Sequence, residues 1–185
     1  QGGVSDEQVD AILRVKSAWQ AGHGFLLSDD VGVGKSREAA GLILEALAMG
    51  KRRILYTTKN ANNVADAIRE CRLVATGSEE GTFPAAIVDV ADYPSVLKGE
   101  ADLPIPDGPV VYIAHSYNFA KVADALVKVQ PEVWIADEAH EYKNIAGSNR
   151  GIEWAKLHSS MLDRGVKEFA YLTATPAVTL NELGY

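Results

Sequence analysis

The sequence lacks the features that define several classes of protein. It has a single cysteine, Cys71, among 185 residues, so an internal disulfide and a disulfide-stapled secreted fold are both excluded. No apolar run approaches the roughly 20 residues that a membrane-spanning helix needs. The first residues lack the charged-then-apolar pattern of a signal segment, and no internal repeat or low-complexity tract is present. We therefore expect a globular protein in a reducing, cytoplasmic setting.

Positive charge is also scarce. Lysine and arginine number 18 against 25 aspartates and glutamates, which gives a net charge of −7. This balance argues against a freestanding protein that wraps nucleic acid through a broad basic surface. It still permits a domain that holds a nucleic-acid backbone through a few loops and helix N-termini. The hydrophobic fraction of 47% is enough for one substantial core, and we predict one domain over residues 1–185.

Short apolar runs alternate with segments of helical period along the chain. We predict strands at residues 24–28, 54–58, 85–90, 110–114, 133–136 and 169–172. The intervening segments predict helices, the first at 6–20 with Ser5 as its N-cap and with Val9, Ile12, Leu13 and Lys16 along one face. This alternation predicts an α/β fold with a mostly parallel central sheet. Polar residues of interest follow the strands, where ligands bind in open α/β sheets.

The strongest local signal is a glycine loop, residues 30–36, between a predicted strand and a predicted helix. Gly32 and Gly34 allow backbone conformations that turn several N–H groups toward a polyphosphate. Lys35 can reach the terminal phosphates, and the Ser36 hydroxyl can ligate Mg²⁺. The full phosphate-loop pattern asks for glycine where this chain has Asp29. A glycine-rich turn with an exposed lysine is the plainer interpretation, but the strand–loop–helix context favours phosphate binding.

Two carboxylates follow the apolar strand at 133–136. Hydrolysis of a nucleoside triphosphate needs a carboxylate that holds Mg²⁺ and a base that orients water. Asp137 suits the first role through an intervening water, and Glu138 suits the second. Side chains that are adjacent in a strand point to opposite faces, so both can serve one site only where the strand ends. A capping, salt-bridging turn is the alternative, and the phosphate loop makes it the weaker one.

These motifs together resemble superfamily-two helicases and translocases. Residues 27–36 resemble motif I of the Swi/Snf-type branch, in which aspartate at the position of Asp29 is normal. Residues 137–140 match motif II, and Lys143 and Asn144 complete the Asp-Glu-Ala-His-x-x-Lys-Asn form of that branch. Residues 173–176 look like motif III, with threonine where many members have serine. Three motifs in order, each at a strand end, are far more specific than any one alone.

Weaker matches extend the resemblance over nearly the whole chain. Gln8 stands 27 residues before Lys35, where the adenine-reading glutamine of the Q motif is expected. Residues 56–60 are similar to motif Ia, and residues 113–117 lie where motif Ib is expected. Arg37 and the segment 179–185 also resemble the strawberry-notch-like branch of bacterial and phage proteins, which implies a bacterial or phage-encoded origin.

The resemblance implies an ATP-binding RecA-like domain, the first of two, that moves on duplex DNA. Its implied ligands are ATP and Mg²⁺. The residues implied to bind the nucleotide are Gln8, Gly32, Val33, Gly34, Lys35, Ser36 and Arg37. The residues implied in catalysis are Lys35, Asp137 and Glu138, and those implied to hold Mg²⁺ are Ser36 and Asp137. Coupling to domain movement is implied for His140, Thr173 and Thr175. Backbone contacts to DNA are implied for Thr57, Thr58, Lys59, His115 and Ser116, for which an ordinary polar loop is an equal alternative.

The chain ends soon after the match to motif III, so we expect a fragment of a larger protein. The resemblance implies that a second RecA-like domain supplies an arginine finger to the ATP site. Alone, the chain is expected to bind Mg-ATP weakly and to hydrolyse it slowly or not at all. A nucleotide-gated interaction module without motor activity is the alternative, favoured by the acidic composition. A small-molecule kinase is a third option, but no lid with arginines is evident.

Overall fold

Helices and strands alternate throughout the part of the chain that the computed structural model describes, residues 4–28, 34–59, 61–142 and 149–173. The helices are α1 (Asp6–Gln20), α2 (Lys35–Ala48), α3 (Ala61–Thr76), α4 (Pro94–Leu97), α5 (Phe119–Val129) and α6 (Asn149–Asp163). The strands are β1 (Phe25–Ser28), β2 (Arg53–Thr58), β3 (Ala86–Asp89), β4 (Val110–His115), β5 (Val133–Ala136) and β6 (Phe169–Thr173). Short 3₁₀ helices occupy Val90–Asp92 and Ala139–Tyr142. Among these described helices, none has the length and apolar character required to cross a bilayer.

The six described strands form one sheet in the order β1-β6-β5-β2-β4-β3. Every one of the five strand pairs is parallel, so all of these strands end at the same edge of the sheet. The predicted α/β class and parallel sheet are therefore confirmed. β6 lies between β1, which leads toward the glycine loop, and β5, which leads into the two carboxylates.

Alternating side chains of the strands divide the core into two layers. Ile54 and Tyr56 of β2 pack on the side of α1, α2 and α3, whereas Leu55 packs on the side of α5 and α6. The same alternation runs along β5, with Ile135 on the first side and Trp134 on the second. Trp134 stacks on Phe119 of α5 with ring centroids 5.7 Å apart. Burial on both faces makes this a three-layer structure, as the continuous apolar strands predict.

The first helix begins with a capping box. The Ser5 hydroxyl accepts a hydrogen bond from the Gln8 backbone N–H, and the Gln8 side-chain oxygen Oε1 accepts one from the Ser5 backbone N–H at 2.9 Å. These bonds satisfy donors that a helix start leaves without partners. The predicted N-cap and both predicted helix ends are confirmed.

The buried face of α1 differs from the expected one. Val9 and Leu13 are 38% and 49% exposed, although the apolar spacing groups them with Ile12. The residues that α1 buries are Gln8, Ala11, Val15 and Trp19. Glutamine and alanine contribute little to an apolar pattern, so the sequence predicts a different buried face from the one observed. The observed helix is rotated about its axis relative to that prediction, and Gln8 therefore faces the glycine loop.

Cys71 lies inside α3 and is buried against the sheet, as the helical spacing predicts. Burial raises the pKa of its thiol to about 12. The group therefore stays protonated near neutral pH and serves as a small core residue rather than a nucleophile.

Candidate nucleotide-binding site

The start of α2 lies at the edge of the sheet where the strands end. Gly34 is the N-cap and adopts a left-handed conformation with φ of 80°. The left-handed backbone favours glycine here, and a Cβ at this position would lie 2.7 Å from Gln8 Nε2 and displace the end of that side chain. The predicted nucleotide residues Gly32 and Val33 lie outside the described residues, as do all of 29–33.

Lys35 carries the clearest sign of a ligand site. Its side chain is partly buried, and its ammonium nitrogen has no accessible surface and, among the residues that the structure describes, no hydrogen-bond partner. A buried cation without a partner is costly, so such a group persists where function requires it. It stands in the first turn of α2, where the helix dipole also attracts negative charge, and Ser36 follows it. A nucleotide phosphate supplies the acceptor that the ammonium lacks, and the residues present therefore fit a polyphosphate.

Gln8 and Arg37 flank this helix start, and both make contacts with the protein. Gln8 Nε2 donates to the Gly34 carbonyl oxygen at 3.3 Å, which joins α1 to the glycine loop. Arg37 Nε donates to Glu70 Oε2 of α3 at 2.8 Å, an ion pair that is largely buried. The structure thus places Gln8 beside the loop and turns Arg37 toward α3. Their predicted contacts with nucleotide stay predictions.

Asp137 is held by three hydrogen bonds. Its Oδ2 accepts from the Tyr56 hydroxyl and from the Thr58 hydroxyl, each at 3.2 Å, and its Oδ1 accepts from the Glu138 N–H at 2.9 Å. The residue is only 5% exposed. Burial and then the neighbouring Glu138 charge raise the pKa of Asp137, whereas the three hydrogen bonds act in the opposite direction. The carboxylate is therefore fixed in orientation before any ligand arrives.

Glu138 has a strained backbone at the position predicted for the catalytic base. Its φ is +52°, a left-handed conformation that non-glycine residues rarely adopt. The strand has already ended at Ala136, as a shared site for both carboxylates requires. Glu138 Oε2 is buried and has no hydrogen-bond partner within the described ranges, and it lies 3.2 Å from His140 Nδ1. Strain and an unsatisfied oxygen together are typical of a functional position.

His140 and Thr173, both predicted to couple the site to domain movement, are in contact. His140 Nδ1 lies 3.3 Å from the Thr173 hydroxyl oxygen, and Thr173 is buried at the end of β6. The strand register pairs Thr173 with Ser28, the last residue of β1 before the glycine loop. Thr173 therefore lies between the two motifs. Thr175, the third predicted coupling residue, lies outside the described residues.

The topology brings all of these groups to one edge of the sheet. Within the described residues, no group of three or more histidine, cysteine, aspartate and glutamate side chains could hold a metal ion. Mg²⁺ in nucleotide sites uses one or two protein ligands together with phosphate oxygens and water. Ser36 and Asp137 are therefore a suitable donor set for Mg²⁺ that accompanies a nucleotide.

Three of the five predicted DNA contacts are internal. Thr57 is fully buried, and its hydroxyl oxygen accepts a hydrogen bond from Trp134 Nε1 at 3.0 Å. Thr58 is 1% exposed and donates to Asp137. Ser116 is 2% exposed and donates to the Lys59 carbonyl oxygen at 3.0 Å. Direct side-chain contacts of these residues with DNA do not agree with this burial, because β2 stays covered to its last residue and Ser116, just after β4, is covered as well.

The other two predicted DNA residues are accessible. Lys59 is exposed immediately after β2, and His115 is partly exposed at the end of β4. His115 Nε2 lies 3.0 Å from Asn118 Nδ2, and its ring meets Tyr117 edge-on, with centroids 6.4 Å apart. Tyr117 is 67% exposed. A positive charge and a pair of rings therefore remain on this part of the edge.

Sequence reasoning did not identify Tyr56 as part of the site. It is fully buried in β2, 81 residues from Asp137, and ranks as an ordinary core aromatic by composition. The one available signal was its position two residues before Thr58, which puts both hydroxyls on the same side of the strand. Burial and the Asp137 charge raise the pKa of Tyr56 well above its ordinary value, so its hydroxyl remains a hydrogen-bond donor.

A parallel three-layer sheet with a lysine-bearing helix start and an acidic strand end at one edge defines a P-loop nucleoside triphosphatase. The whole chain, residues 1–185, matches the family model described as P-loop containing NTP hydrolase pore-1, and the chain belongs to this family. No curated protein matches the chain closely enough to count as a relative.

Solved structures show the same fold. The Sulfolobus solfataricus SWI2/SNF2 ATPase core in complex with dsDNA superposes with a TM-score of 0.64 at 14% identity, covering 97% of this chain and 33% of that one. A nuclease-deletion mutant of the Type ISP restriction-modification enzyme LlaGI, in complex with a DNA substrate mimic, gives 0.62 at 16% identity over 95% of this chain and 18% of that one.

A third neighbour is the ATP-dependent Type ISP restriction-modification enzyme LlaBIII bound to DNA. It gives a TM-score of 0.62 at 17% identity over 93% of this chain and 13% of that one. The present chain thus spans a third or less of each of the three neighbours. Likeness at this identity establishes the fold, and the predicted RecA-like P-loop fold is confirmed.

Proposed function

We propose that the chain is the ATP-binding domain of a superfamily-two, helicase-like DNA translocase. The observation that carries the proposal is the Lys35 ammonium, which is buried without a hydrogen-bond partner in the described part of the chain, at the sheet edge where β5 ends before Asp137 and Glu138. A cation, a fixed carboxylate and a strained second carboxylate are the protein groups that nucleoside triphosphate hydrolysis requires.

Each group has a defined task in this proposal. Lys35 and the N–H groups of the glycine loop bind the phosphates and neutralise their charge. Ser36 and Asp137 hold Mg²⁺, which when bound neutralises charge on the phosphate oxygens. Glu138 orients the attacking water and accepts its proton at Oε2, the carboxylate oxygen that has no hydrogen bond. Gln8 reads the adenine beside the loop.

Movement on DNA requires a second RecA-like domain, in the same polypeptide or in a partner. His140 and Thr173, which are in contact, sense the nucleotide and pass its state to that domain. Lys59 and His115 are the proposed DNA contacts, because they are the accessible members of the predicted set. The three structural neighbours were solved with DNA or a DNA mimic, which supports DNA as the partner and duplex DNA for the SWI2/SNF2 neighbour.

Calorimetric titration with Mg-ATP tests the core of the proposal. Lys35→Ala is expected to weaken binding roughly 10- to 100-fold, because a charge-assisted contact with phosphate is lost. Lys128→Ala is the matched control, since Lys128 is exposed in the last turn of α5, a helix that runs away from the nucleotide edge. Equal affinity in the Lys35 variant and the wild type would contradict the assigned site.

Steady-state ATP hydrolysis with and without DNA tests the need for a second domain. We expect slow turnover that DNA does not stimulate, because an arginine finger contributes several orders of magnitude to such rates. Robust DNA-stimulated turnover by this chain alone would contradict that requirement.

A nucleotide-gated interaction module is the second candidate. Two observations favour it: the net charge of −7, and the burial of three of the five predicted DNA contacts. DNA affinity measured over a range of salt concentration separates the two functions. A DNA-binding domain loses affinity steeply as salt rises, because phosphate contacts release counterions. An interaction module would show no such DNA binding at any salt concentration.

A further inference from the structure

We infer that Tyr56 and Thr58 are positioning residues for Asp137, and that their two hydroxyls determine how this carboxylate meets Mg²⁺. The inference rests on the proposed function and adds to it a pair of residues on β2 that act through Asp137 rather than on the ligand. Both hydroxyls lie 3.2 Å from the same oxygen, Asp137 Oδ2.

Most of the acceptor positions of the Asp137 carboxylate are already occupied by protein donors. An ionised carboxylate offers about four acceptor positions, two on each oxygen. Tyr56 and Thr58 take both positions on Oδ2, and the Glu138 N–H takes one on Oδ1. One position on Oδ1 therefore remains for Mg²⁺ or its hydration shell. The protein thus directs a single lone pair of Asp137 toward the ligand.

The two hydroxyls are buried and cannot easily change their orientation. Tyr56 and Thr58 are 0% and 1% exposed in a strand paired on both sides, so neither side chain can rotate away without leaving the core. The backbones of the two segments are also hydrogen-bonded, because the Asp137 N–H donates to the Thr57 carbonyl oxygen at 2.8 Å. Water does not compete for a buried carboxylate as it does at a surface, so these donors set its orientation.

Thr57 supplies a matched control. It lies between the two proposed residues and is equally buried, but its hydroxyl bonds to Trp134 on the opposite side of the strand. Thr57→Val removes a buried hydroxyl of the same kind without touching Asp137. A general loosening of β2 would therefore appear in this variant as well.

The experiment compares the affinity for ATP in excess Mg²⁺ with the affinity in EDTA, by calorimetry, for the wild type, Tyr56→Phe, Thr58→Val, Thr58→Ser and Thr57→Val. The ratio of the two affinities measures the contribution of the metal. We expect Tyr56→Phe and Thr58→Val each to lower this ratio about 3- to 10-fold, the value of one buried hydrogen bond. The EDTA affinity stays unchanged, and Thr58→Ser restores the ratio because it restores a hydroxyl.

Four outcomes are decisive. A reduced ratio in Tyr56→Phe and Thr58→Val, with the wild-type ratio in Thr57→Val, supports the inference. Unchanged ratios in the first two variants, or an equal reduction in Thr57→Val, would overturn it while leaving ATP binding intact. A wild-type ratio of one would also overturn it. Failure of the wild type to bind ATP under either condition would instead contradict the proposed function, and the inference with it. Thermal unfolding of each variant verifies that it folds.

Discussion

The two sides of the nucleotide edge are built in opposite ways. At the start of α2 the Lys35 ammonium is buried and none of the described residues accepts a hydrogen bond from it, whereas at the end of β5 the Asp137 carboxylate accepts three hydrogen bonds. One charge depends on a ligand for its partner. The other already has hydrogen-bond donors within the protein, and these donors fix the orientation that it presents to a ligand.

This difference separates two costs of building a site. An unpaired buried charge lowers the stability of the protein before any ligand binds, and the ligand then supplies the missing contact. A carboxylate that accepts three hydrogen bonds has part of its desolvation cost offset by the protein and keeps its orientation when the site is empty. Glu138 belongs with Lys35 in this comparison, because its backbone is strained and its Oε2 lacks a hydrogen bond. Stability measurements without nucleotide can therefore distinguish the two kinds of group.

The largest expected effect is a loss of stability in Asp137→Ala. The change leaves two buried hydroxyls and one N–H without an acceptor, and each unsatisfied donor carries a desolvation cost. We expect the free energy of unfolding to fall by roughly 2 kcal/mol or more, measured by urea denaturation. Asp137→Asn is the control with a smaller loss, since its amide still bonds to the neighbouring hydroxyls. A neutral effect of Asp137→Ala would show that the three bonds contribute nothing to stability.

Glu138→Gly is expected to act in the opposite direction. Glycine adopts the left-handed conformation of this position without steric cost, so the free energy of unfolding should rise by about 0.5–1 kcal/mol while ATP hydrolysis is lost. Gln130→Gly is the matched control, because Gln130 has φ of +53° at the C-cap of α5, away from the site. The control should gain similar stability and keep nucleotide binding. A loss of stability in Glu138→Gly would disprove the backbone strain inferred here.

Lys35→Met should give a smaller gain in stability. The change keeps the length of the side chain and removes a buried charge that has no partner, so the free energy of unfolding should rise by about 0.5 kcal/mol in the absence of nucleotide. Lys128→Met removes an exposed lysine that is paired with Asp102 and should have almost no effect. Destabilisation by Lys35→Met would mean that the ammonium is stabilised in the ligand-free protein.

The same contrast explains what the sequence could predict. Strand and helix bounds came close to the observed ones because apolar runs, the Ser5 cap and terminal glycines are local signals. The location of the site at one edge of the sheet could be predicted from the parallel topology, because all parallel strands end at the same edge. The two motifs could be assigned because their residue types already contain the chemistry of phosphate and metal binding.

The parts that could not be predicted depend on long-range packing. The Tyr56–Asp137 bond joins residues 81 apart, and no local pattern distinguishes Tyr56 from an ordinary core aromatic. The sequence predicts the strand through Thr57 and Thr58 but not the burial of their side chains, because that burial depends on the position of β2 between β4 and β5 in the interior of the sheet. The buried face of α1 was likewise decided by its packing against α2, not by its most apolar stripe.

His158 on α6 gives the smallest effect and a reference for both sides of the site, because it is a partly buried titratable group on a helix outside the two motifs. It stacks on Trp154 with centroids 5.0 Å apart, and its Nε2 lies 2.7 Å from the Tyr171 hydroxyl. Burial lowers its pKa from 6.5 to about 4. The unfolded chain therefore binds more protons between these values, so the stability due to neutral His158 is complete above pH 6.5 and is lost as the pH falls through 4.

His158→Gln should flatten the dependence of Tm on pH in this window relative to the wild type. His23→Gln, which changes an exposed histidine, should retain the wild-type slope. Equal slopes for the wild type and His158→Gln would mean that His158 does not contribute to acid sensitivity.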